Sequence, residues 1–379
     1  MGTKQYDSAT DLLTFSRASS ATFLGSNGLL QTAANNIPRI EYDATGAVKG
    51  LLIEEARTNL ITHSEDFSKS AWVKYDAGDT LTSGVIAPDG SSSAYLFAPD
   101  TTNGFHSLRR TTLWATATHT ISLFVKASGR RYLHLAAGSN NLGTPSYDYR
   151  RGVFDVQDGV VISAPTNGSA NVESFGNGWY RISVTVVILA GATAKLDITM
   201  GDNTDPTSTI ISGGNGTDGI YIYGAQLEVA SFGSSYIPTS GAAATRAADI
   251  ASIPTSAFGY NSGAGTVVCD FNMSFGGTNY PRAWELGSTI NSNDRINVFG
   301  YAPTAIIGTG LFTAGVGQGG TTLSTGNTVP TGQIKAAFAW RENDLATVQD
   351  GGTVQTDSVA TITGGNPRTQ LALGKPASS

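Results

Sequence analysis

The chain has 379 residues, enough for two or three compact units, with 40% hydrophobic and 14% charged residues. Its net charge of -6 argues against a nucleic-acid partner, because phosphate binding needs clustered Lys and Arg, whereas the basic residues here form separate pairs at 109–110, 130–131 and 150–151. The 46 glycines and the low charged fraction suit short strands and tight turns, so the composition predicts an all-β protein.

The cysteine content and the apolar runs of the sequence bear on disulfide or zinc sites and on export or membrane insertion. Cys269 is the only cysteine, so neither an intrachain disulfide nor a cysteine-based zinc site can form, and its apolar surroundings predict a buried thiol on a strand. The N-terminal residues lack the hydrophobic core of a signal peptide, and the apolar run 184–190 is too short to span a bilayer. We therefore expect a soluble protein made in the cytoplasm, without a signal peptide.

Residues 1–62 are predicted to form hairpins with little core of their own. Asn27-Gly28 lies between strand-like flanks and is a strong hairpin signal, and Thr45-Gly46 is a second turn. Large apolar residues are few, so the segment cannot bury enough surface to be stable alone. It must lie on its own domain, on a neighbouring subunit or on a larger particle.

Residues 63–239 read as a run of short antiparallel strands. The stretch 119–126 alternates with period two and is followed, after the turn Ser128-Gly129, by 131–135. A second hairpin surrounds Asp158-Gly159, and 178–186 alternates again. Strands at this spacing predict a jelly-roll β-sandwich.

The stretch 220–249 begins as a strand and then dissolves into small residues, which predicts the end of this domain and a linker at 240–250. Residues 251–379 show the strand pattern on a smaller scale and predict a second β-sandwich. After the turn at 350–352 a closing strand is missing from the pattern. Either another chain supplies that strand, or the sequence was processed or cut short.

Several of these stretches resemble a known group of proteins. Residues 15–43 and 50–72 resemble a module of tail-fibre, head-fibre and related adhesion proteins of tailed bacteriophages. Residues 176–186 and 220–249 look like the carbohydrate-binding jelly roll that follows it in those proteins. The C-terminal part, through 265–276, 334–352 and 371–376, looks like a laminin-G or concanavalin-A-like lectin sandwich.

The resemblance implies a structural, non-enzymatic virion protein that recognises host cell-surface polysaccharide and contacts other virion proteins. It also implies a homotrimer, with no nucleic-acid partner and no membrane insertion. The apparent lack of a closing strand is a departure from the lectin pattern, and it puts the last domain's independent stability in doubt.

Sugar binding needs flat apolar faces and a few polar groups, so aromatic residues on strands are the candidates. Tyr132 and His134 share one strand face, opposite two leucines, and Tyr221 and Tyr223 share another. If the two faces coincide they form an aromatic platform; otherwise these residues cover the sheets or subunit interfaces. Further candidates are Trp114 and the loop residues Tyr147 and Tyr149, whereas Trp72 is predicted to lie in the core.

Carbohydrate-binding jelly rolls often hold a structural calcium, and the carboxylates at the first and last strands of the domain, Glu65, Asp66 and Glu228, are its candidate ligands. No other cofactor is implied.

Catalysis finds little support in the motifs. The neighbours Glu54-Glu55 point to opposite faces if extended, the four histidines are scattered, and the nucleophile-elbow, phosphate-loop and dinucleotide patterns are missing. Three functions stay open: a glycan-binding fibre, a purely architectural virion protein, and, least favoured, a polysaccharide-degrading tailspike, which would need paired carboxylates.

Overall fold

The structure is a computed structural model that describes residues 12–113, 115–138, 150–188, 193–202, 208, 214–273, 281–288, 293–301, 306–318, 323–328, 333–362 and 367–374. The predicted all-β fold is confirmed: antiparallel sheets make up this part of the chain, whose helical content is the 3₁₀ turn Thr255–Ala257. No helix in the described ranges has the length and apolar character needed to cross a membrane.

The strands of the N-terminal segment are β1 (Thr14–Ser16), β2 (Ala21–Leu24), β3 (Leu30–Ala33), β4 (Arg39–Tyr42), β5 (Val48–Leu52) and β6 (Arg57–Asn59). The middle strands are β7 (Trp72–Lys74), β8 (Thr80–Val85), β9 (Ala94–Ala98), β10 (Ser107–Leu113), β11 (Ala117–Ser128), β12 (Tyr132–Gly138), β13 (Arg151–Asp155), β14 (Val160–Ser163), β15 (Gly168–Ser174), β16 (Tyr180–Ile188), β17 (Thr193–Met200) and β18 (Gly219–Glu228).

The remaining strands are β19 (Ala244–Arg246), β20 (Ile250–Pro254), β21 (Ala264–Phe271), β22 (Arg282–Gly287), β23 (Arg295–Tyr301), β24 (Ile306–Thr313), β25 (Val316–Gly317), β26 (Leu323–Thr328), β27 (Ile334–Arg341), β28 (Asp344–Gln349), β29 (Gln355–Asp357) and β30 (Gln370–Leu373).

The N-terminal segment lies on its own chain, the first of the three alternatives left open by its sequence. Its hairpins are β2–β3, closed by Gly28 at φ 71°, and β4–β5. Leu24 and Leu30 pack into an apolar cluster with Phe124 of the middle domain, so the segment obtains there the core that it lacks.

The middle strands form two six-stranded sheets, ordered β14-β13-β12-β17-β10-β7 and β15-β16-β11-β18-β9-β8. The chain passes repeatedly from one sheet to the other, as in a jelly roll. Alternate residues of each sheet fill a shared core, among them Leu133 and Leu135 from the first sheet and Ile121 and Leu123 from the second. Trp72 lies in this core, as predicted.

A β-bulge on β18 explains why apolar residues at both even and odd positions of this strand face the core. Ile222 and Leu227 both point into the core although their numbers differ by five. The register with β11 shifts between Ser122 and Phe124, and Gly224 on β18 adopts φ 63°. The extra residue resets the alternation, and glycine accommodates the positive φ at low cost.

The predicted linker at 240–250 is paired with the N-terminal segment. Strand β19 pairs with β6, and β20 pairs with β1. Small residues therefore do not make this stretch a free tether, because its backbone hydrogen bonds are made to strands about 190 or more positions earlier.

A buried ion cluster, here called the junction network, fastens these two segments together. Asp249 accepts from Arg17 Nη1 at 3.0 Å and from Arg39 Nη2 at 2.6 Å, and all three side chains are fully buried. Glu54 pairs with Arg39 at 2.8 Å and with Arg246. Burial would raise the pKa of Glu54, but the guanidinium groups of Arg246 and Arg39 outweigh it and hold that pKa below its usual value.

The C-terminal strands form the second predicted sandwich. The sheet β1-β20-β30-β22-β23-β24-β25, with β26 on β24, packs against the sheet β21-β27-β28-β29. Trp284 and Ile296 of the first sheet meet Phe338 and Trp340 of the second in the core. Strand β30 lies between β20 and β22 and pairs with both. Residues 370–373 therefore pair with strands of this chain on both sides. Cys269, predicted to be buried, is half-buried beside this core.

Candidate functional site

The first six-stranded sheet of the middle sandwich carries a polar surface on the side away from the core, here called the outer face. Because side chains alternate along each strand, the residues between the core leucines and isoleucines point outward. On the four central strands the outer face includes, most of them buried, Ser107, Arg109, Thr111, Tyr132, His134, Ala136, Arg151, Val153, Asp155, Lys195, Asp197 and Thr199.

One row of the outer face crosses five neighbouring strands. In register, Val73 lies beside Arg109, Arg109 beside Asp197, Asp197 beside Ala136, and Ala136 beside Arg151. Five adjacent strands span roughly 19 Å at about 4.8 Å per strand. The row therefore places cationic, anionic and again cationic side chains along an extended line, in which Asp197 and Ala136 are buried.

A second row joins hydroxyl and imidazole groups. Thr199 lies beside Ser107 and His134, and its Oγ1 is 3.2 Å from Ser107 Oγ. Arg151 Nη1 donates to His134 Nδ1 at 3.2 Å, so that nitrogen is the acceptor of the ring. Ser107, Thr199 and His134 are fully buried, and this row is a polar layer beneath the surface.

At the β7 edge the outer face ends in an exposed aromatic ring stacked on a cation. Arg109 lies with its guanidinium carbon 4.2 Å from the ring centroid of Tyr75 and 5.2 Å from that of Phe105. The two rings meet edge to face with centroids 5.2 Å apart. Tyr75 is 56% exposed. We call Tyr75, Phe105 and Arg109 the aromatic–arginine patch.

The carboxylate of Asp197 anchors this patch from below. Arg109 Nε is 2.7 Å from Asp197 Oδ1, and Asp197 is almost fully buried. Burial raises the pKa of Asp197, and the guanidinium of Arg109 opposes that shift. Nη2 of Arg109 is buried and has no hydrogen-bond partner in the described ranges. The patch thus combines a fixed cation and an accessible ring.

At the opposite end of the outer face lies Tyr132, one of the predicted sugar-binding residues. Its ring is half-buried, and the Arg131 guanidinium carbon is 5.5 Å from its centroid. Arg131 also pairs with Asp155 and Asp158. His134, predicted beside it, shares the same face but is fully buried.

The predicted platform of two tyrosine pairs does not form, because Tyr221 and Tyr223 lie on the other sheet. Their alternation places them on its outer side, so the two aromatic faces point away from each other across the core. Tyr223 is 2% exposed, and its hydroxyl donates to Glu65 Oε1 at 3.0 Å. Burial raises the pKa of Tyr223, and it has no ring face free for a ligand.

The other aromatic candidates, Trp114, Tyr147 and Tyr149, lie outside the described residues.

The three carboxylates predicted to hold calcium have separate protein partners. Glu65 accepts from tyrosine hydroxyls, and Glu228 accepts from the backbone N–H of Ser234 at 3.0 Å and from its hydroxyl at 2.5 Å. Asp66 accepts from Ser68, whose hydroxyl lowers the pKa of Asp66 to about 2. In the described ranges, Glu65, Asp66 and Glu228 do not gather into a three-ligand group.

Sequence reasoning missed Tyr75, Phe105 and Arg109. The available signal was alternation: with Trp72 in the core, Val73 and Tyr75 fall on the outward side of the same strand. The sequence does not show that Arg109 contacts Tyr75, because this contact depends on β10 lying beside β7.

A cleft of about 560 Å³ lies elsewhere, where the N-terminal segment meets both sandwiches. Its walls include Glu54 and Arg246 of the junction network together with Phe232, Phe271 and Trp284. The carboxylate and guanidinium of that wall are already paired with each other.

No family model matches the chain, and no curated protein matches it. Among solved structures, it is similar to the bacteriophage CBA120 tailspike protein 4 enzymatically active domain, at 12% identity and a TM-score of 0.27 over 45% of this chain and 21% of that one. It is also similar to domains LG4-5 of the mouse laminin alpha1 chain, at 11% identity and a TM-score of 0.20 over 79% and 82%. The chain thus spans about a fifth of the tailspike protein, and at these scores neither likeness bears on its function.

Proposed function

We propose that the chain is a non-enzymatic virion protein of a tailed bacteriophage, a tail or head fibre, that binds host cell-surface polysaccharide through the outer face. The virion assignment rests on the resemblance of residues 15–43 and 50–72 to the module of fibre proteins. On this proposal the protein acts in a virion appendage during adsorption, as a homotrimer in contact with other virion proteins.

The observation that carries glycan binding is the aromatic–arginine patch at the end of a polar row. Sugars present C–H faces, which pack on an aromatic ring, and hydroxyls, which both donate and accept. Tyr75 supplies an exposed ring, and the guanidinium of Arg109 lies against it. Tyr132 offers a second, half-buried ring on the same face.

The test is calorimetric titration of the purified protein with surface polysaccharide from candidate hosts, with new reducing ends assayed in the same samples. Heat of binding without new ends supports a non-enzymatic adhesin. New reducing ends would contradict it. Neither heat nor new ends, with polysaccharide from hosts that are infected, would favour the architectural role.

A matched pair of variants locates the site. Tyr75→Ala should weaken polysaccharide binding about tenfold, equivalent to about 1.4 kcal/mol. Tyr221→Ala removes a half-buried tyrosine from the outer side of the opposite sheet, and we expect its affinity to stay near wild type. The reverse order of effects would move the site to the second sheet.

A purely architectural role is the second candidate, and the burial of polar groups favours it. His134, Ser107 and Thr199 are fully buried, and a buried polar layer can serve to fix strand register. A purely architectural role does not explain why the ring of Tyr75 is exposed.

A further inference from the structure

Two loops of the middle sandwich, β7–β8 and β9–β10, bring two carboxylates and an imidazole together. Asp76 follows β7, Asp100 follows β9, and His106 precedes β10. One ligand atom of each lies within 4.8 Å of the other two. Asp76 and Asp100 are half-buried, whereas His106 is fully buried.

A fourth group, Asp79, fixes the orientation of the imidazole. Asp79 Oδ1 lies 2.5 Å from His106 Nδ1, and both side chains are fully buried. Nδ1–H donation to a carboxylate is the arrangement found around metal-ligating histidines. Nε2 lies 3.3 Å from the Thr102 carbonyl oxygen and donates to it, because a carbonyl oxygen can only accept, so an ion bound at Nε2 would displace that proton.

Asp79 also carries an unused acceptor at this place. Its Oδ2 is buried and has no hydrogen-bond partner in the described part of the chain. Oδ1 of the same carboxylate contacts His106 and lies 3.3 Å from the backbone N–H of Asp100, so Asp79 packs directly against two members of the group. A buried carboxylate oxygen without a donor is costly unless a cation lies nearby.

The two outer carboxylates share the hydroxyl of Thr102, whose Oγ1 lies 2.6 Å from Asp100 Oδ1 and 3.2 Å from Asp76 Oδ2. Each carboxylate also accepts from one backbone N–H, Asp76 Oδ1 from Gly78 at 3.0 Å and Asp100 Oδ1 from Thr102 at 2.8 Å. Neither carboxylate forms an ion pair with a described Lys or Arg, since Lys74 Nζ donates to the carbonyl oxygens of Ala77 and Asp79.

We propose that Asp76, Asp100 and His106 bind a divalent transition-metal ion such as Zn²⁺ or Mn²⁺, with Asp79 as a positioning residue. One imidazole and two carboxylates suit these ions, whereas calcium takes six to eight oxygen ligands. The ion ties together two loops of the middle sandwich, β7–β8 and β9–β10. The site does not depend on glycan binding.

The test uses the full chain, treated with a chelator and titrated with Zn²⁺, Mn²⁺ and Ca²⁺ by calorimetry. We expect one Zn²⁺ or Mn²⁺ per chain and a thermal unfolding midpoint that rises with the metal. Asp100→Asn and Asp76→Asn should each weaken binding by more than about tenfold. These half-buried positions are safer to vary than His106.

Asp43→Asn is the matched control. Asp43 Oδ1 accepts from the backbone and hydroxyl of Thr45 at 2.8 and 2.6 Å, the same distances as Asp100 Oδ1 from Thr102. Metal affinity should be unchanged in this variant. No saturable binding by the wild type, equal binding by Asp100→Asn, or binding of Ca²⁺ alone would overturn the proposal.

The positioning role of Asp79 has a separate readout. Asp79→Asn keeps an acceptor for Nδ1, whereas Asp79→Ala removes it, so Zn²⁺ affinity should be retained more fully in Asp79→Asn than in Asp79→Ala. A merely structural role would reduce the folded fraction and leave the Zn²⁺ affinity of the folded chain the same in both variants.

Discussion

Two regions of this molecule bury arginines against carboxylates, and they use them differently. In the junction network, Asp249 and Glu54 are each shared by two arginines from distant segments, and all of these groups lie inside the chain. On the outer face, Arg109 pairs with Asp197 but is stacked under the exposed ring of Tyr75. A buried pair enclosed by its own chain indicates assembly of the fold, and we propose that the pair ending at an exposed aromatic ring belongs to a ligand-binding surface.

Removing a shared carboxylate from the junction network should have the largest effect. Asp249→Ala leaves Arg17 and Arg39 buried without their common partner, and we expect the free energy of unfolding to fall by about 3–5 kcal/mol. Denaturant unfolding measures it. Asp344→Ala is the control, since its pair with Arg341 is exposed and should contribute about 0–1 kcal/mol. Equal losses in both variants would contradict the structural role of the network.

The pH dependence of the junction network should have a defined sign. The pKa of Glu54 is below its ordinary value of 4.5 in the folded chain, so its stabilising contribution is present above about pH 4.5 and is lost as the pH falls through the lower folded value. At neutral pH, Glu54→Gln should cost about 2 kcal/mol. The difference between wild type and variant should shrink in acid. A difference that grows in acid would show that Arg39 and Arg246 do not hold this carboxylate ionised.

On the outer face, a substitution that keeps charge should affect binding more than stability. Arg109→Lys retains a cation for Asp197 but loses the planar group stacked on Tyr75. We expect stability to change by less than about 1 kcal/mol, because the salt bridge and burial are largely kept. Polysaccharide affinity should fall several-fold by calorimetry. If stability fell as much as in Asp249→Ala, this pair would belong to the same structural class as the junction.

The comparison also shows what the sequence could predict. Alternation placed Leu133 and Leu135 opposite Tyr132 and His134, and the all-β fold followed from glycines, turns and period-two strands. These are local patterns, which a sequence displays directly.

Features that depend on contacts between residues far apart in the chain could not be predicted from the sequence. The run of small residues before Arg246 resembled a tether, yet Arg246 and Asp249 pair with side chains from the first 54 positions. The sequence does not show that strand β30 pairs with both β20 and β22, nor that β10 lies beside β7 and brings Arg109 to Tyr75. Charge pairing and strand order over such separations have no local signature.

The most direct test of the outer face as the glycan site is hydrogen–deuterium exchange with and without host polysaccharide. We expect the polysaccharide to slow exchange in peptides covering residues 72–75, 105–111 and 131–136. Exchange in residues 220–228 and in the sandwich after residue 250 should be unchanged. Protection confined to residues 250–374, or to 220–228, with none at Tyr75 and Arg109, would contradict it.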